Sequence, residues 1–205
     1  MNINFIVLTL VLVQFVISYS VYNVGNTYYE QRIQNGKTKP KVFDISYKYL
    51  PDYSDSELLE NIIDLMVLLP IFAIFWFTNN GELYKEYLVS VLLIQLLRSI
   101  FIHSTILPKT KTCIKNAEEY NWYNIIFGHC YDKIFSGHLA TSIMTFIFLY
   151  KMNVVRNIPF AIFYNLLLSL GLLLNRAHYT VDLLVALLAS YTIYNVDIDY
   201  FHFLK

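Results

Sequence analysis

Long apolar runs limit what this chain can fold into, because each must bury itself in a protein core or in lipid. Leaving one large apolar side chain in water instead costs roughly 1.5–3 kcal/mol. Hydrophobic residues make up 57% of the 205 residues, more than a soluble domain of this size carries. Six runs stand out: Phe5 to Val21, Ile62 to Phe77, Tyr87 to Leu107, Ser136 to Tyr150, Ile158 to Leu174 and Tyr179 to Val196. A hydrocarbon core of about 30 Å takes about 17 to 25 helical residues to cross. The runs therefore predict an all-α integral membrane protein with six transmembrane helices, the second and fourth short for a full crossing. No repeat, heptad or low-complexity linker divides the chain, so residues 1–205 read as one polytopic domain with a catalytic core at about 50–196. The first run could instead be a cleaved signal peptide, since Ser18 and Ser20 are small residues near its end. Met1-Asn2-Ile3-Asn4 lacks the basic side chains that such a peptide usually begins with.

Six spans would put the loops 22–61 and 108–135 and the turn Asn175-Arg176-Ala177 on one face. That face carries Arg32, Lys37, Lys39, Lys41, Lys48, Lys109, Lys111, Lys115, Lys133 and Arg176, the other only Lys85, Lys151, Arg156 and Lys205. The positive-inside rule alone places the richer face in the cytosol. Formal net charge is zero, which gives no support to a nucleic-acid partner. The two cysteines, Cys113 and Cys130, share one loop and could pair in an oxidising compartment.

On that face two polar motifs run into apolar segments. In His178-Tyr179-Thr180-Val181-Asp182 the imidazole and the carboxylate are four residues apart, so a helix would set them on one face. The carboxylate can then fix the ring tautomer and leave the other nitrogen free to attack, the pairing used in nucleophilic catalysis. A hydrogen bond that merely caps the helix is the plainer reading. In Ser136-Gly137-His138, serine is a favoured N-cap and glycine lets backbone amides approach an anion. That helix start predicts a phosphate cradle with His138 beside it as proton donor; a loop histidine against lipid head groups is the alternative.

Arg176 and Lys133 are placed to bind non-bridging phosphate oxygens, and Asp132 to pair with a cation. Arg98 is the unusual residue of the third run, too deep to reach water easily, so it should face the protein interior or a substrate path. His103, His129 and His202 have no partner at a telling spacing. No metal-binding signature or glycine-rich nucleotide loop occurs, so no metal or cofactor is called for.

These motifs resemble those of the sphingomyelin synthase family, a membrane branch of the type 2 phosphatidic acid phosphatase superfamily. Cys130, Asp132, Phe135, Ser136, Gly137 and His138 match its C-x-D-x-x-F-S-G-H pattern, and His178, Tyr179, Thr180 and Asp182 its H-Y-T-x-D pattern. Leu50-Pro51-Asp52 and Arg98 with Thr105-Ile106-Leu107-Pro108 are similar to two further stretches. The chain departs from the pattern at Tyr131, Leu139 and Ser99. The resemblance implies a six-helix, metal-independent transferase in a Golgi, endoplasmic reticulum or plasma membrane. Its catalytic face would be lumenal or extracellular, against the charge count. It further implies that His178 attacks the phosphorus of a donor phospholipid with Asp182 orienting it. His138 would protonate the leaving group, and ceramide would accept phosphocholine or phosphoethanolamine from a phosphohistidine. Water as acceptor would make the site a lipid phosphatase or phospholipase C-type hydrolase, and a non-catalytic lipid-binding protein is the remaining alternative.

Overall fold

A computed structural model describes residues 42–77, 80–104, 107 and 133–195, together with positions 5, 6, 8, 9, 11–13, 15, 16, 19 and 20, which are helical. The described residues form helices and connecting turns, without a strand. The helices are α1 (Ile45–Tyr49), α2 (Glu57–Phe77), α3 (Gly81–Ser104), α4 (Gly137–Lys151), α5 (Ile158–Leu174) and α6 (Thr180–Asn195).

Local side chains set where most of them begin. The Ser56 hydroxyl accepts from Leu59 N at 3.2 Å, six residues before the expected apolar run becomes continuous around Ile62. Asn80 does the same for α3 through Glu82 N and Leu83 N, Ser136 for α4 through Leu139 N, and Asn157 for α5 through Phe160 N. Each cap satisfies amides that the first turn of a helix leaves without partners. α4 and α5 end on left-handed residues, Asn153 (φ 60°) and Arg176 (φ 54°). In both, the following amide reaches back to close the last turn: Val154 N to Leu149 O at 2.9 Å, and Ala177 N to Leu172 O at 3.1 Å. Asparagine is tolerated there; arginine is an uncommon occupant, since the position favours glycine.

Helix α4 is the hub and packs against α2, α3, α5 and α6. It buries Leu139, Ala140, Met144, Phe146, Phe148 and Leu149, while Tyr87 on α3 bonds across to the Thr145 hydroxyl at 3.1 Å. Close approach of α2 and α5 depends on Gly171, where a Cβ would stand 3.2 Å from Ile63 Cγ1. Pro70, inside α2, has no amide to give the Met66 carbonyl four residues back. Tyr164 of α5 supplies the missing donor, its hydroxyl 2.7 Å from Met66 O, so the break in the α2 ladder becomes a contact between helices.

The expectation of six transmembrane helices is not upheld. Among the described residues one helix, Glu57–Phe77, is long and apolar enough to cross a membrane. The fourth, fifth and sixth expected spans correspond to helices of 15, 17 and 16 residues, which rise only about 22–26 Å. α3 is longer, at 24 residues, but holds Glu82, Lys85, Glu86, Gln95 and Arg98. The first expected span is described at scattered positions only. Summed hydrophobicity marks these runs without separating side chains that pack on one another, as on α4, from those facing outward. Outward apolar side chains do abound on α2 (Phe72, Phe75, Trp76), α5 (Ile162, Phe163, Leu166) and α6 (Leu184, Leu187, Leu188).

Candidate active site

Asp182 lies in the first turn of α6 and is fully buried. Its Oδ2 accepts from Tyr179 N, just before the helix, at 2.8 Å, the return bond by which an acidic third residue closes a helix start. The same oxygen is 3.1 Å from His178 Nδ1. Oδ1 accepts from Ile134 N at 2.8 Å, and the Asp182 carbonyl accepts from Ser136 N at 3.3 Å. One carboxylate thus caps α6, holds the imidazole and ties down the loop that leads into α4. His178 is not on the helix, as the four-residue spacing predicted; it precedes it by two residues, and the carboxylate reaches back. Ile134 pays for its place with φ 72°, an outlier for a β-branched side chain that the bond to Asp182 helps to hold.

His138, second residue of α4, faces His178 with ring centroids 6.2 Å apart and planes at 66°. The side chain of His138 is about a quarter exposed (24%), that of His178 only 5%. Ser136 is fully buried, with its hydroxyl occupied in capping α4. Arg98 is buried as well, and its guanidinium lies flat against Gly137: a Cβ there would be 3.3 Å from both Cζ and Nε. A side chain at that position would press the guanidinium back by a few tenths of an ångström. Arg98 Nη1 also points at Gln95 Oε1, at 3.5 Å. Lys133 is buried in the loop before α4. Asp132 lies outside the described residues, as do Cys113 and Cys130.

Arg176 has other partners. Its Nη2 donates to the Leu50 carbonyl at 2.7 Å and to the Tyr47 carbonyl at 3.4 Å. The guanidinium carbon sits 4.3 Å over the Tyr47 ring, and Nε is 3.9 Å from Asp52 Oδ1. Nη1 has no hydrogen bond among the described residues. Tyr47 answers by donating toward the carbonyls of Arg176 and His178, at 3.3 and 3.2 Å, and stacks on Tyr179; burial pushes its phenol well above the ordinary range. The segment around α1 is therefore strapped across the turn that carries His178.

Asp44 completes the strap. Its carboxylate accepts from Thr180 N at 2.6 Å and from the Thr180 hydroxyl at 2.8 Å, at the start of α6, and from Ser46 N at 2.9 Å, at the start of α1. Burial works to raise its pKa, but the bonds from Ser46 and Thr180 outweigh it and hold the group below its ordinary 3.8. A depressed carboxylate contributes stability above its unfolded pKa and loses it as pH falls through the folded one. Stability should accordingly decline with acid below about pH 4. In Asp44→Asn that portion of the decline should be absent from thermal unfolding midpoints measured across pH 3 to 6, on the order of the carboxylate range; an unchanged acid slope would show that Asp44 does not supply it.

Three residues of this arrangement lie outside the motifs read from the sequence. Asp44 and Tyr47 meet partners about 130 positions away in the chain. Asp64, on α2, is 3.8 Å from His138 Nε2 through its Oδ1; a carboxylate inside an apolar run was the signal that could have marked it. No group of three or more His, Cys, Asp or Glu among the described residues is arranged to hold a metal ion.

A helical protein with an imidazole–carboxylate pair, a facing imidazole and a buried guanidinium at a helix start fits the class of phospholipid head-group transferases. The chain belongs to the AtPDCT1/2 family, whose model matches residues 57–198; the family is that of phosphatidylcholine:diacylglycerol cholinephosphotransferase. No curated protein matches the chain. The family match corrects the resemblance to the sphingomyelin synthase family. The motifs behind that resemblance are two histidines, a carboxylate and a helix start, and they carry no information about the lipid alcohol that accepts a head group.

Proposed function

We propose that this protein moves a phosphocholine-type head group from a phospholipid to the free hydroxyl of a diacylglycerol. The observation that carries this reading is the 6.2 Å approach of two imidazoles, one of them held by a buried carboxylate. Both rings can then reach a single phosphoryl group, and the family's name supplies the lipid class.

With Nδ1 engaged by Asp182, His178 presents Nε2 to phosphorus. A P–N bond forms and the P–O bond to the donor glycerol breaks, while His138 gives its proton to the departing oxygen. The acceptor hydroxyl next gives its proton to His138 and attacks phosphorus. The P–N bond breaks, and both histidines return to their starting states. Arg98, Lys133 and the Ser136-Gly137 helix start hold the non-bridging oxygens, where fixed cations and amides stabilise charge gained in the transition state. Arg176 serves by anchoring the strap. The protein sits in a bilayer, with α2 as its membrane helix and the outward apolar faces of α5 and α6 against lipid, so both substrates reach the site along the membrane plane.

The test is an acceptor assay in membranes containing the full chain. Phosphatidylcholine labelled in the choline methyl groups is supplied with a diacylglycerol of distinct acyl length, with ceramide, or with neither. Labelled phosphatidylcholine bearing the new acyl chains is the expected product. Label appearing on ceramide would replace the acceptor, and release of water-soluble phosphocholine alone would turn the reading into hydrolysis. No movement of label in any arm would end it.

A further inference from the structure

Asp64 is a carboxylate inside the helix that is apolar and long enough to cross a membrane. Ionisable groups at such positions are costly and mark function. Its Oδ1 lies 3.8 Å from His138 Nε2, and both side chains are about a quarter exposed, at 25% and 24%. The gap is an ion-pair distance, which a small rotation of either side chain converts to a hydrogen bond; catalytic contacts are often this long before substrate binds. We infer that Asp64 is the positioning residue of His138, so that the site holds two imidazole–carboxylate pairs, His178 with Asp182 and His138 with Asp64.

The charges around His138 give this pair its purpose. Arg98 of α3 lies against Gly137, and Lys133 is buried in the loop before α4. Both cations oppose a proton on the imidazole. His178 faces it from the turn before α6, with Asp182 on the far side of that ring. α5 carries no charged residue along its length. On α2, Glu60 and Glu57 precede Asp64 by about one and two turns. Asp64 is a carboxylate in ion-pair range of His138 Nε2, and an opposite charge there favours the protonated ring. A general acid must begin protonated, and the pairing makes that compatible with the two cations needed for phosphate. The two carboxylates therefore have different tasks: Asp182 aims a neutral ring at phosphorus, while Asp64 keeps a charged ring loaded for the leaving oxygen.

This inference rests on His138 being the proton donor of the proposed transfer, and the test separates the two. Single-turnover release of diacylglycerol from labelled phosphatidylcholine is followed against pH for wild type, Asp64→Asn and Asp64→Glu. The expected result for Asp64→Asn is a rate lower by roughly 10- to 100-fold at neutral pH, in the range that general acid catalysis contributes, with little change in donor KM. Its alkaline limb should move to lower pH, because the ring loses its proton sooner, and Asp64→Glu should restore the limb. An unmoved limb in both variants overturns the pairing, as does a raised donor KM with an unmoved limb, which would assign Asp64 to the cationic head group. If Asp64→Asn does not fold, Asp64→Ser takes its place: a limb moved to lower pH supports the pairing and an unmoved one overturns it. Failure of wild type to release any diacylglycerol would instead remove the parent reading.

Discussion

Replacing His178 by alanine should abolish transfer, lowering turnover by roughly four orders of magnitude or more, as loss of a nucleophile does in enzymes that work through a covalent intermediate. The fold should survive. Asp182 keeps the amides of Ile134 and Tyr179 as donors once the ring is gone, so no buried backbone group is orphaned. The variant should therefore elute and unfold much as wild type does. Brief exposure of wild type to choline-labelled phosphatidylcholine without acceptor should leave label on the protein that is stable in base and lost in acid, as a phosphorus–nitrogen bond is. His178→Ala should carry none. His138→Ala should still acquire label, but slowly, because it lacks only the proton for the departing oxygen. Label retained in His178→Ala would place the nucleophile elsewhere.

What the sequence made legible is what lies close together along the chain. The His178 and Asp182 pair could be read because four residues separate them and a helix begins between them. The start of α4 could be read because Ser136 caps it within three residues. The boundaries of α2 and α3 could not be read from apolar runs alone, since Ser56 and Asn80 start those helices while the sequence is still polar. Arg176 was read by its nearness to His178. Its left-handed backbone, however, accompanies a guanidinium bound to Leu50 and Tyr47. The pairings of Asp44 and Asp64 were out of reach for another reason, although Asp64 itself stands out as a carboxylate inside an apolar run. Their partners, Thr180 and His138, are 136 and 74 positions away, and only the packing of α1 and α2 brings them in. The motifs carried no signal for the lipid alcohol, and the family match over residues 57–198 was required to change the expected acceptor.

Asp182→Asn is the sharper probe, because the carboxylate serves three donors that an amide cannot all satisfy. Oδ1 takes Ile134 N, and Oδ2 takes Tyr179 N together with His178 Nδ1. An asparagine has one oxygen. If it faces Tyr179 and His178, its NH2 meets the Ile134 amide and releases a loop whose residue 134 sits at φ 72°. If it faces Ile134, the NH2 meets Tyr179 N, and His178 must turn over or lose its partner. Either choice leaves a buried donor unpaired, at a cost of about 1–3 kcal/mol, and the first also removes support from a strained residue worth on the order of 1–3 kcal/mol. The unfolding midpoint should fall, and turnover per folded molecule should drop by roughly 10³- to 10⁴-fold, as when a histidine is left in the wrong tautomer. The two effects can be told apart by measuring activity well below the lowered midpoint, where the variant is fully folded. A variant that loses stability but keeps wild-type turnover there would make Asp182 a helix cap and nothing more, and one that keeps both would remove it from the site.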